Sequence, residues 1–135
     1  MEGGICVAVV EDDASLSQAL QRVLRIKGYS PKMFNSAEAL MQDADHADIR
    51  CLVLDIQLPG MSGFELHQHL ARAGKPPPVV FITAHDDADA RMRAEAAHGV
   101  YLVKPFTGQA LLETVGRILA PPKAVTGLSW TNGRA

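Results

Sequence analysis

Six side chains that could bind a cation or a phosphoryl group stand directly after apolar runs of this sequence. Three are consecutive acids behind the first run, and an acid, a hydroxyl and an ammonium group each follow a later run. In chain order they are Glu11, Asp12, Asp13, Asp55, Thr83 and Lys104. If the runs are parallel strands, their carboxyl ends meet at one edge of a sheet, where ligands bind in such folds. The pattern therefore predicts one polar site assembled from distant parts of the chain.

The charges of this set indicate its ligand. Two carboxylates about 4 Å apart repel by roughly 4 kcal/mol at an effective dielectric constant of about 20, so Glu11, Asp12 and Asp55 can share a site only with a cation. Carboxylates without histidine or cysteine favour Mg²⁺, which often binds a phosphate as well. Lys104 offers a point charge for that phosphate. A carboxylate beside Mg²⁺ and a lysine can attack phosphorus and form an aspartyl phosphate.

The elements that would position these residues are strands of a buried sheet. Four apolar runs rich in β-branched residues are continuous rather than alternating, which predicts strands covered on both faces. They lie at residues 5–10, 52–54, 79–82 and 100–103. A weaker run at residues 31–34 begins with a proline, which cannot donate to a strand ladder, so it predicts an edge strand.

Helical patterns fill the segments between the strands. The clearest has apolar residues at the spacing of an amphipathic helix, namely Leu16, Ala19, Leu20, Val23 and Leu24. Helix starts are predicted at Ser36, Ser62 and Thr107, and helix ends at Gly28, at Gly74 and before Pro121-Pro122. The alternation of strands and helices predicts one parallel five-stranded sheet with helices on both faces.

The fourth helix, expected at residues 86–97, differs from the others in composition. It is rich in alanine, and Met92 is its single large apolar residue. We therefore expect it to have the thinnest buried stripe and the lowest local stability.

Length and composition exclude several classes of protein. The chain has 135 residues, which is the size of one domain. Its net charge is −2, and because it has no basic run, direct binding to DNA or RNA is not expected. It has no membrane-length apolar run and no signal sequence, so a cytoplasmic protein without membrane association is expected. Cys6 and Cys51 lie in apolar runs and are expected to be free thiols.

Four motifs of the chain resemble the receiver domain of two-component response regulators. They are VVEDD at residues 9–13, LDIQLPGMSG at 54–63, ITA at 82–84 and YLVKPF at 101–106. The resemblance covers residues 5–119 and implies a flavodoxin-like (βα)5 doubly wound sandwich. It also implies a receiver domain at residues 1–120, followed by a short flexible tail at 121–135. The segment at 32–38 resembles receivers of regulators that carry C-terminal helix-turn-helix output domains.

The resemblance implies catalytic and switch roles for single residues. Asp55 is the implied phosphoacceptor. Thr83 and Lys104 are its implied catalytic partners, and each would bind one phosphoryl oxygen. Tyr101 is the implied aromatic switch, which turns inward when Thr83 moves toward the phosphate. Pro105 would follow a cis peptide bond, which only proline adopts readily.

A cofactor and partners are implied as well. Mg²⁺ would be held by Asp12, Asp55 and the main-chain carbonyl of Gln57, with Glu11 acting through a water molecule. The phosphoryl donor would be a sensor histidine kinase or a phosphotransfer protein. The fourth helix, the fifth strand and the fifth helix would form the readout surface, through which a weak homodimer is also possible.

The chain departs from the family pattern before the fifth strand. The family usually has Ala-Gly-Ala there, whereas this chain has Ala96-Ala97-His98. Because the glycine that ends the helix is missing, Gly99 is expected to take its place. Gln57 and His85 would flank the path of the attacking water and tune the lifetime of the phosphate.

Other interpretations of these residues remain open. A small phosphatase of the haloacid dehalogenase type also uses an aspartate at a strand end, but it needs a second aspartate where this chain has Gln57. A phosphorylation-independent interaction module of the same fold would normally lack the acid pair, the lysine or the acceptor aspartate, all of which are present here. Asp13 is expected only to cap the first helix, and His67 and His69 are expected to be exposed rather than metal ligands.

Overall fold

The computed structural model describes residues 4–43 and 48–120, which form one parallel sheet flanked by helices. The strands are β1 (Cys6–Val10), β2 (Ser30–Phe34), β3 (Ile49–Asp55), β4 (Val79–Thr83) and β5 (Val100–Val103). They lie in the order β2-β1-β3-β4-β5, and every neighbouring pair is parallel. The chain leaves β1 toward β2 on one side and β3 on the other, so the crevice between the carboxyl ends of β1 and β3 is a topological switch point.

In the part of the chain that the structure describes, five helices cover the two faces of this sheet. They are α1 (Ala14–Ile26), α2 (Ala37–Gln42), α3 (Gly63–Ala73), α4 (Ala88–Ala96) and α5 (Gly108–Leu119). The buried residues of α1 and α5 pack in one cluster against one face, and those of α2, α3 and α4 pack in a second cluster against the other. Along β1, Val7 and Val9 join the first cluster while Ala8 and Val10 join the second, because successive side chains of a strand point to opposite faces.

Most of the predicted helix boundaries are confirmed. Asp13, Ser36 and Thr107 each cap a helix by accepting a hydrogen bond from a main-chain N–H of the first turn. Ser62 and Glu65 form a reciprocal capping box at the start of α3. Helix α5 ends at Leu119, and the prolines predicted to end it lie outside the described residues, as does the predicted tail.

Two predictions about strands have different outcomes. Strand β2 lies at an edge of the sheet, as its proline predicts. The prediction that residues 100–103 form a fully buried strand is wrong: β5 is the opposite edge, and all of its residues are only partly buried, although Tyr101 packs against one core cluster and Leu102 against the other. An apolar run reports hydrophobicity but not the order in which strands join the sheet.

The end of α4 also differs from expectation. We expected Gly99 to adopt the left-handed conformation, but His98 does so, with φ of 58°. Gly99 is required for another reason: a Cβ there would lie 2.7 Å from the ring of Phe81. The helix itself is shorter than predicted, and its buried residues are Ala90 and Ala94, whereas Met92 is exposed.

The sequence also predicts the burial or exposure of two cysteines and two histidines. Cys6 and Cys51 are buried free thiols, as expected, and burial raises the pKa of Cys51 to about 12. The prediction that His67 is exposed is wrong, because it packs edge-on against Phe81 with a ring-centroid distance of 5.7 Å. His69 is exposed.

None of the helices in the described part of the chain has the length and apolar character needed to cross a membrane.

Candidate functional site

The acidic residues predicted to meet do so at the carboxyl ends of β1 and β3. Glu11 directly follows β1, and Asp55 is the last residue of β3. Both are almost completely buried, while Asp12 is exposed at the mouth of the crevice. One carboxylate oxygen from each of the three lies within 4.8 Å of the others. The switch point of the sheet thus holds three acids whose charges require compensation.

Lys104 supplies a positive charge between the two buried acids. It follows β5, and its main-chain N–H donates to the carbonyl of Thr83 at 2.7 Å. Its Nζ lies 2.9 Å from Asp55 Oδ2 and 2.9 Å from Glu11 Oε1. The peptide bond between Lys104 and Pro105 is cis, as the resemblance implies.

The pKa values of the site follow from burial and from these contacts. Burial raises the pKa of Glu11 above its ordinary value, although Lys104 and the main-chain N–H of Asp13 both favour its charged form. Burial works against the ammonium of Lys104, but the contacts with Glu11 and Asp55 outweigh it and raise the pKa of Lys104. Lys104 is therefore charged at neutral pH.

One carboxylate oxygen of the site has no hydrogen-bond partner among the described residues. Glu11 Oε1 is buried, and although Lys104 Nζ is near, no hydrogen bond of acceptable geometry reaches this oxygen. A buried carboxylate oxygen without a hydrogen bond costs free energy that a cation can offset. The donor set consists of carboxylate oxygens, which are ligands that Mg²⁺ prefers, so the residues present fit this ion.

The loop after β3 holds Asp55 in place. Gln57 donates its main-chain N–H to Asp55 Oδ1 at 2.9 Å, so the two carboxylate oxygens have different partners. Helix α3 can begin close to Asp55 because its first residue, Gly63, has no side chain. A Cβ at this position would collide with the main-chain carbonyl of Asp55. The side chain of Asp55 is therefore held by Gln57 at one oxygen and by Lys104 at the other.

The side chain of Gln57 makes a contact that sequence analysis missed. Thr83, the last residue of β4, donates its hydroxyl hydrogen to Gln57 Oε1 at 2.8 Å and lies 3.2 Å from the carbonyl of His85. The same hydroxyl oxygen accepts the main-chain N–H of His85 at 2.9 Å. The sequence analysis gave Gln57 a main-chain carbonyl for Mg²⁺ and a place beside the path of the attacking water, but no contact with Thr83. A polar residue two positions after Asp55 was the signal available.

Tyr101 lies on β5 and contacts the loop between β4 and α4. Its hydroxyl donates to the carbonyl of His85 at 3.4 Å, and the guanidinium of Arg91 lies 5.8 Å from its ring centroid. Tyr101 and Thr83 therefore both reach the main-chain carbonyl of His85. Tyr101 thus lies next to the loop between β4 and α4. The predicted residues that the structure brings to one site are Glu11, Asp12, Asp55, Lys104 and Thr83.

Comparison with known proteins identifies the family. The response regulator receiver domain family matches residues 7–116 of the chain. The chain belongs to this family. This receiver is 40% identical over 110 residues to nodulation protein W of Bradyrhizobium diazoefficiens, an alignment that covers 81% of this chain and 48% of that protein. It is 33% identical to response regulator protein TmoT of Ectopseudomonas mendocina, covering 81% and 50% of the two chains. The receiver thus spans about half the length of these curated relatives.

Solved structures give the same result. Response regulator StyR is 38% identical and superposes with a TM-score of 0.77, over 84% of this receiver and 58% of StyR. A CheY-like receiver domain protein from Methanospirillum hungatei is 20% identical and superposes with a TM-score of 0.79, over 86% and 94% of the two chains. The predicted family and the flavodoxin-like fold are therefore confirmed.

Proposed function

We propose that this receiver accepts a phosphoryl group on Asp55 from the phosphohistidine of a sensor histidine kinase or a phosphotransfer protein. The observation that supports this most strongly is the pair of 2.9 Å contacts that Lys104 Nζ makes with Asp55 Oδ2 and Glu11 Oε1. In the transfer, a carboxylate oxygen of Asp55 forms a bond to phosphorus while the bond from phosphorus to the imidazole nitrogen breaks. The receiver then hydrolyses its own phosphate slowly and has no small-molecule substrate. Residues 1–120 are the part that does this.

In this proposal Mg²⁺ is the cofactor. Asp12, Asp55 and the main-chain carbonyl of Gln57 hold the ion directly, and Glu11 contributes through a water molecule. When bound, Mg²⁺ neutralises charge on the phosphoryl oxygens. The convergence of three carboxylates and the unsatisfied Glu11 Oε1 support this assignment.

The signal depends on two residues that reach the carbonyl of His85. After transfer, Thr83 releases Gln57 and donates to a phosphoryl oxygen, while Lys104 binds another. The shift of Thr83 leaves space into which Tyr101 turns, and the populations of two packings of the β4–α4 loop exchange. The surface of α4, β5 and α5 then reports the state to an effector, and a weak homodimer through the same surface is part of this proposal.

Labelling with a small phosphoryl donor tests the acceptor. With acetyl phosphate and Mg²⁺, the wild-type receiver is expected to gain one phosphoryl group that is stable in acid and labile in base. The Asp55→Asn variant removes the nucleophile and is expected to gain none. Intact-protein mass spectrometry measures both, and labelling of the variant at the wild-type rate and stoichiometry would place the acceptor elsewhere.

Neighbouring acids provide a matched test of the metal site. Asp12→Asn removes a carboxylate ligand and is expected to weaken Mg²⁺ binding by about tenfold. Asp13→Asn removes an equal charge next to it, but Asn caps a helix as well as Asp does, so Mg²⁺ binding should change little. Calorimetric titration with MgCl₂ measures both affinities. Equal weakening in the two variants would indicate a general charge effect instead of a ligand.

Different results of these experiments would favour the two alternative functions. A haloacid dehalogenase-type enzyme needs an acid where this chain has Gln57, and the side-chain oxygen of Gln57 accepts a hydrogen bond from Thr83 instead of donating a proton. Turnover of generic phosphate esters at enzyme-like rates would nevertheless favour that alternative. A receiver that takes no label but still binds its effector would favour the phosphorylation-independent module.

A further inference from the structure

A cavity of about 610 Å³ lies between α3 and the carboxyl end of α4. It is lined by residues of α3, by the segment before β4 and by residues 96–98 at the end of α4. Because Val79, the first residue of β4, lies in its wall, the cavity is at the amino end of that strand. The acidic site lies at the carboxyl ends of the strands, so this cavity is a separate site. Its volume is within the range of small-molecule sites, about 300–1,000 Å³.

The apolar part of the lining is built from aromatic and aliphatic side chains. Phe64 lies in the wall and packs on the buried Phe81 behind it, with a ring-centroid distance of 4.8 Å. Val79, Ala97 and residues 76–78, which are three consecutive prolines, contribute further apolar surface. Such a surface suits a flat hydrophobic group such as an aromatic ring.

The charged side chains that line the cavity are all positive. Lys75 and Arg93 both line the cavity, and its lining contains no aspartate or glutamate. The guanidinium of Arg93 lies over the ring of Phe64, 4.5 Å from the centroid, so the charge stands directly above the apolar wall. Within residues 4–43 and 48–120, no carboxylate forms an ion pair with Lys75 or Arg93. Both cations are therefore available to an anion.

His67 adds a buried polar group to the same wall. His67 is 9% exposed, and no other described residue forms a hydrogen bond with its ring nitrogens. Burial lowers the pKa of His67, so the ring is neutral at neutral pH and carries one donor and one acceptor. An unpartnered polar ring inside a cavity is a hydrogen-bonding group for whatever the cavity binds.

We propose that this cavity binds a small amphipathic anion, of the class of aromatic carboxylates. The aromatic ring packs on Phe64, Val79 and Ala97, and the carboxylate pairs with Arg93 and Lys75. His67 donates its ring N–H to the bound molecule. This inference rests on the cavity alone and holds whether or not Asp55 accepts a phosphoryl group.

Two probes of the same shape and different charge test the proposal on the full-length chain. Sodium 2-naphthoate carries the carboxylate, whereas 2-naphthamide is its neutral counterpart. Hydrogen bonds to a charged group are stronger than neutral ones, so naphthoate is expected to bind about tenfold more tightly than naphthamide. Titrations followed by ¹H–¹⁵N NMR measure both affinities, and the saturable shifts are expected at Phe64, His67 and Ala97.

Matched variants separate the cavity from general attraction. Arg93→Gln should reduce the preference for naphthoate to about twofold or less, since one cation and its hydrogen bonds are lost. Arg72→Gln removes the same charge from the last turn of α3, outside the lining, and should leave the preference unchanged. Ala71→Phe places a ring in the cavity and should abolish binding of both probes while the folded NMR spectrum is retained.

Three results would overturn the proposal. They are shifts that do not saturate, equal binding of naphthoate and naphthamide, and equal losses in the Arg93→Gln and Arg72→Gln variants. The NMR spectrum of each variant without probe is the control for folding: with a wild-type-like spectrum, a loss of binding reports on the cavity itself.

Discussion

Lys104 is the residue that allows two carboxylates to be buried side by side. Its Nζ is 2.9 Å from an oxygen of Glu11 and 2.9 Å from an oxygen of Asp55. Both acids have almost no exposed side-chain surface, so water cannot screen their repulsion. The ammonium therefore balances the negative charge of the site from within the chain.

Removal of this charge is expected to destabilise the fold. Lys104→Met leaves two buried carboxylates without their cation and should lower the free energy of unfolding by about 2–3 kcal/mol at neutral pH. MgCl₂ should recover part of the loss. Urea denaturation with and without MgCl₂ measures both effects. Lys32→Met is the control, because Lys32 pairs with a more exposed carboxylate, Asp43, and should cost less than about 1 kcal/mol. Equal losses in the two variants would contradict the argument.

The hydrogen bond between Thr83 and Gln57 is expected to oppose activation. Thr83 cannot donate to a phosphoryl oxygen while it donates to Gln57 Oε1 at 2.8 Å. Gln57→Ala removes the competing acceptor, and one hydrogen bond is worth about 1 kcal/mol, so the affinity for the phosphoryl mimic beryllofluoride should rise about fivefold. Calorimetric titration at fixed MgCl₂ measures it. The gain should vanish when the same change is made in a Thr83→Ala background, and its persistence there would show another cause.

At the scale of elements, the end of α4 is conformationally strained. His98 has φ of 58°, a region that residues with a Cβ adopt at a cost of about 1 kcal/mol. The next residue, Gly99, has no room for a side chain, since a Cβ would lie 2.9 Å from Val79 Cγ1 as well as against Phe81. The left-handed residue that follows the helix is therefore a histidine, and the glycine after it is required for packing.

Substitutions at these two positions are expected to act in opposite directions. His98→Gly relieves the left-handed conformation and should raise the free energy of unfolding by about 1 kcal/mol. Gly99→Ala forces the core around Phe81 to move and should lower it by about 1–3 kcal/mol. Thermal and urea denaturation measure both. A loss of stability in His98→Gly would mean that the imidazole itself contributes to folding.

Helix α4 should also open more easily than its neighbours. Its buried residues are only Ala90 and Ala94, whereas α3 buries Phe64 and Leu66. Because alanine buries little apolar surface, the free energy of local opening should be lower in α4. Hydrogen exchange followed by mass spectrometry is expected to show about tenfold faster exchange in residues 88–96 than in residues 63–73. Equal protection of the two helices would contradict this expectation.

At the scale of the whole molecule, one buried histidine makes the stability of the fold depend on pH. Burial lowers the pKa of His67 below its ordinary value of 6.5. As pH falls through about 6.5, the unfolded chain takes up a proton at His67 before the folded protein does, so stability is full above that pH and is lost below it. The slope from this one group cannot exceed about 1.4 kcal/mol per pH unit.

Two variants isolate this effect. His67→Phe removes the titrating group and should give a flatter profile of unfolding free energy between about pH 7 and about pH 5. His69→Phe, at an exposed position of the same helix, should leave the wild-type slope unchanged. Urea denaturation at several pH values measures the profiles. A slope that survives in His67→Phe would assign the pH dependence to other groups.

Local sequence was enough to predict the elements and the composition of the site. Caps such as Asp13, Ser62 and Thr107 act within one turn, so their effect does not depend on the rest of the fold. The meeting of Glu11, Asp12 and Asp55 was predictable too, because the carboxyl ends of parallel strands share one edge of a sheet.

Tertiary structure alone decided what touches what across elements. The burial of His67 on α3 depends on Phe81 of β4, and the hydrogen bond between Gln57 and Thr83 joins the loop after β3 to the end of β4. The position of β5 at an edge depends on strand order, which hydrophobicity does not encode. Sequence determines the conformational preferences of neighbouring residues, whereas contacts between distant residues depend on how the elements pack, since only packing fixes the distances between them.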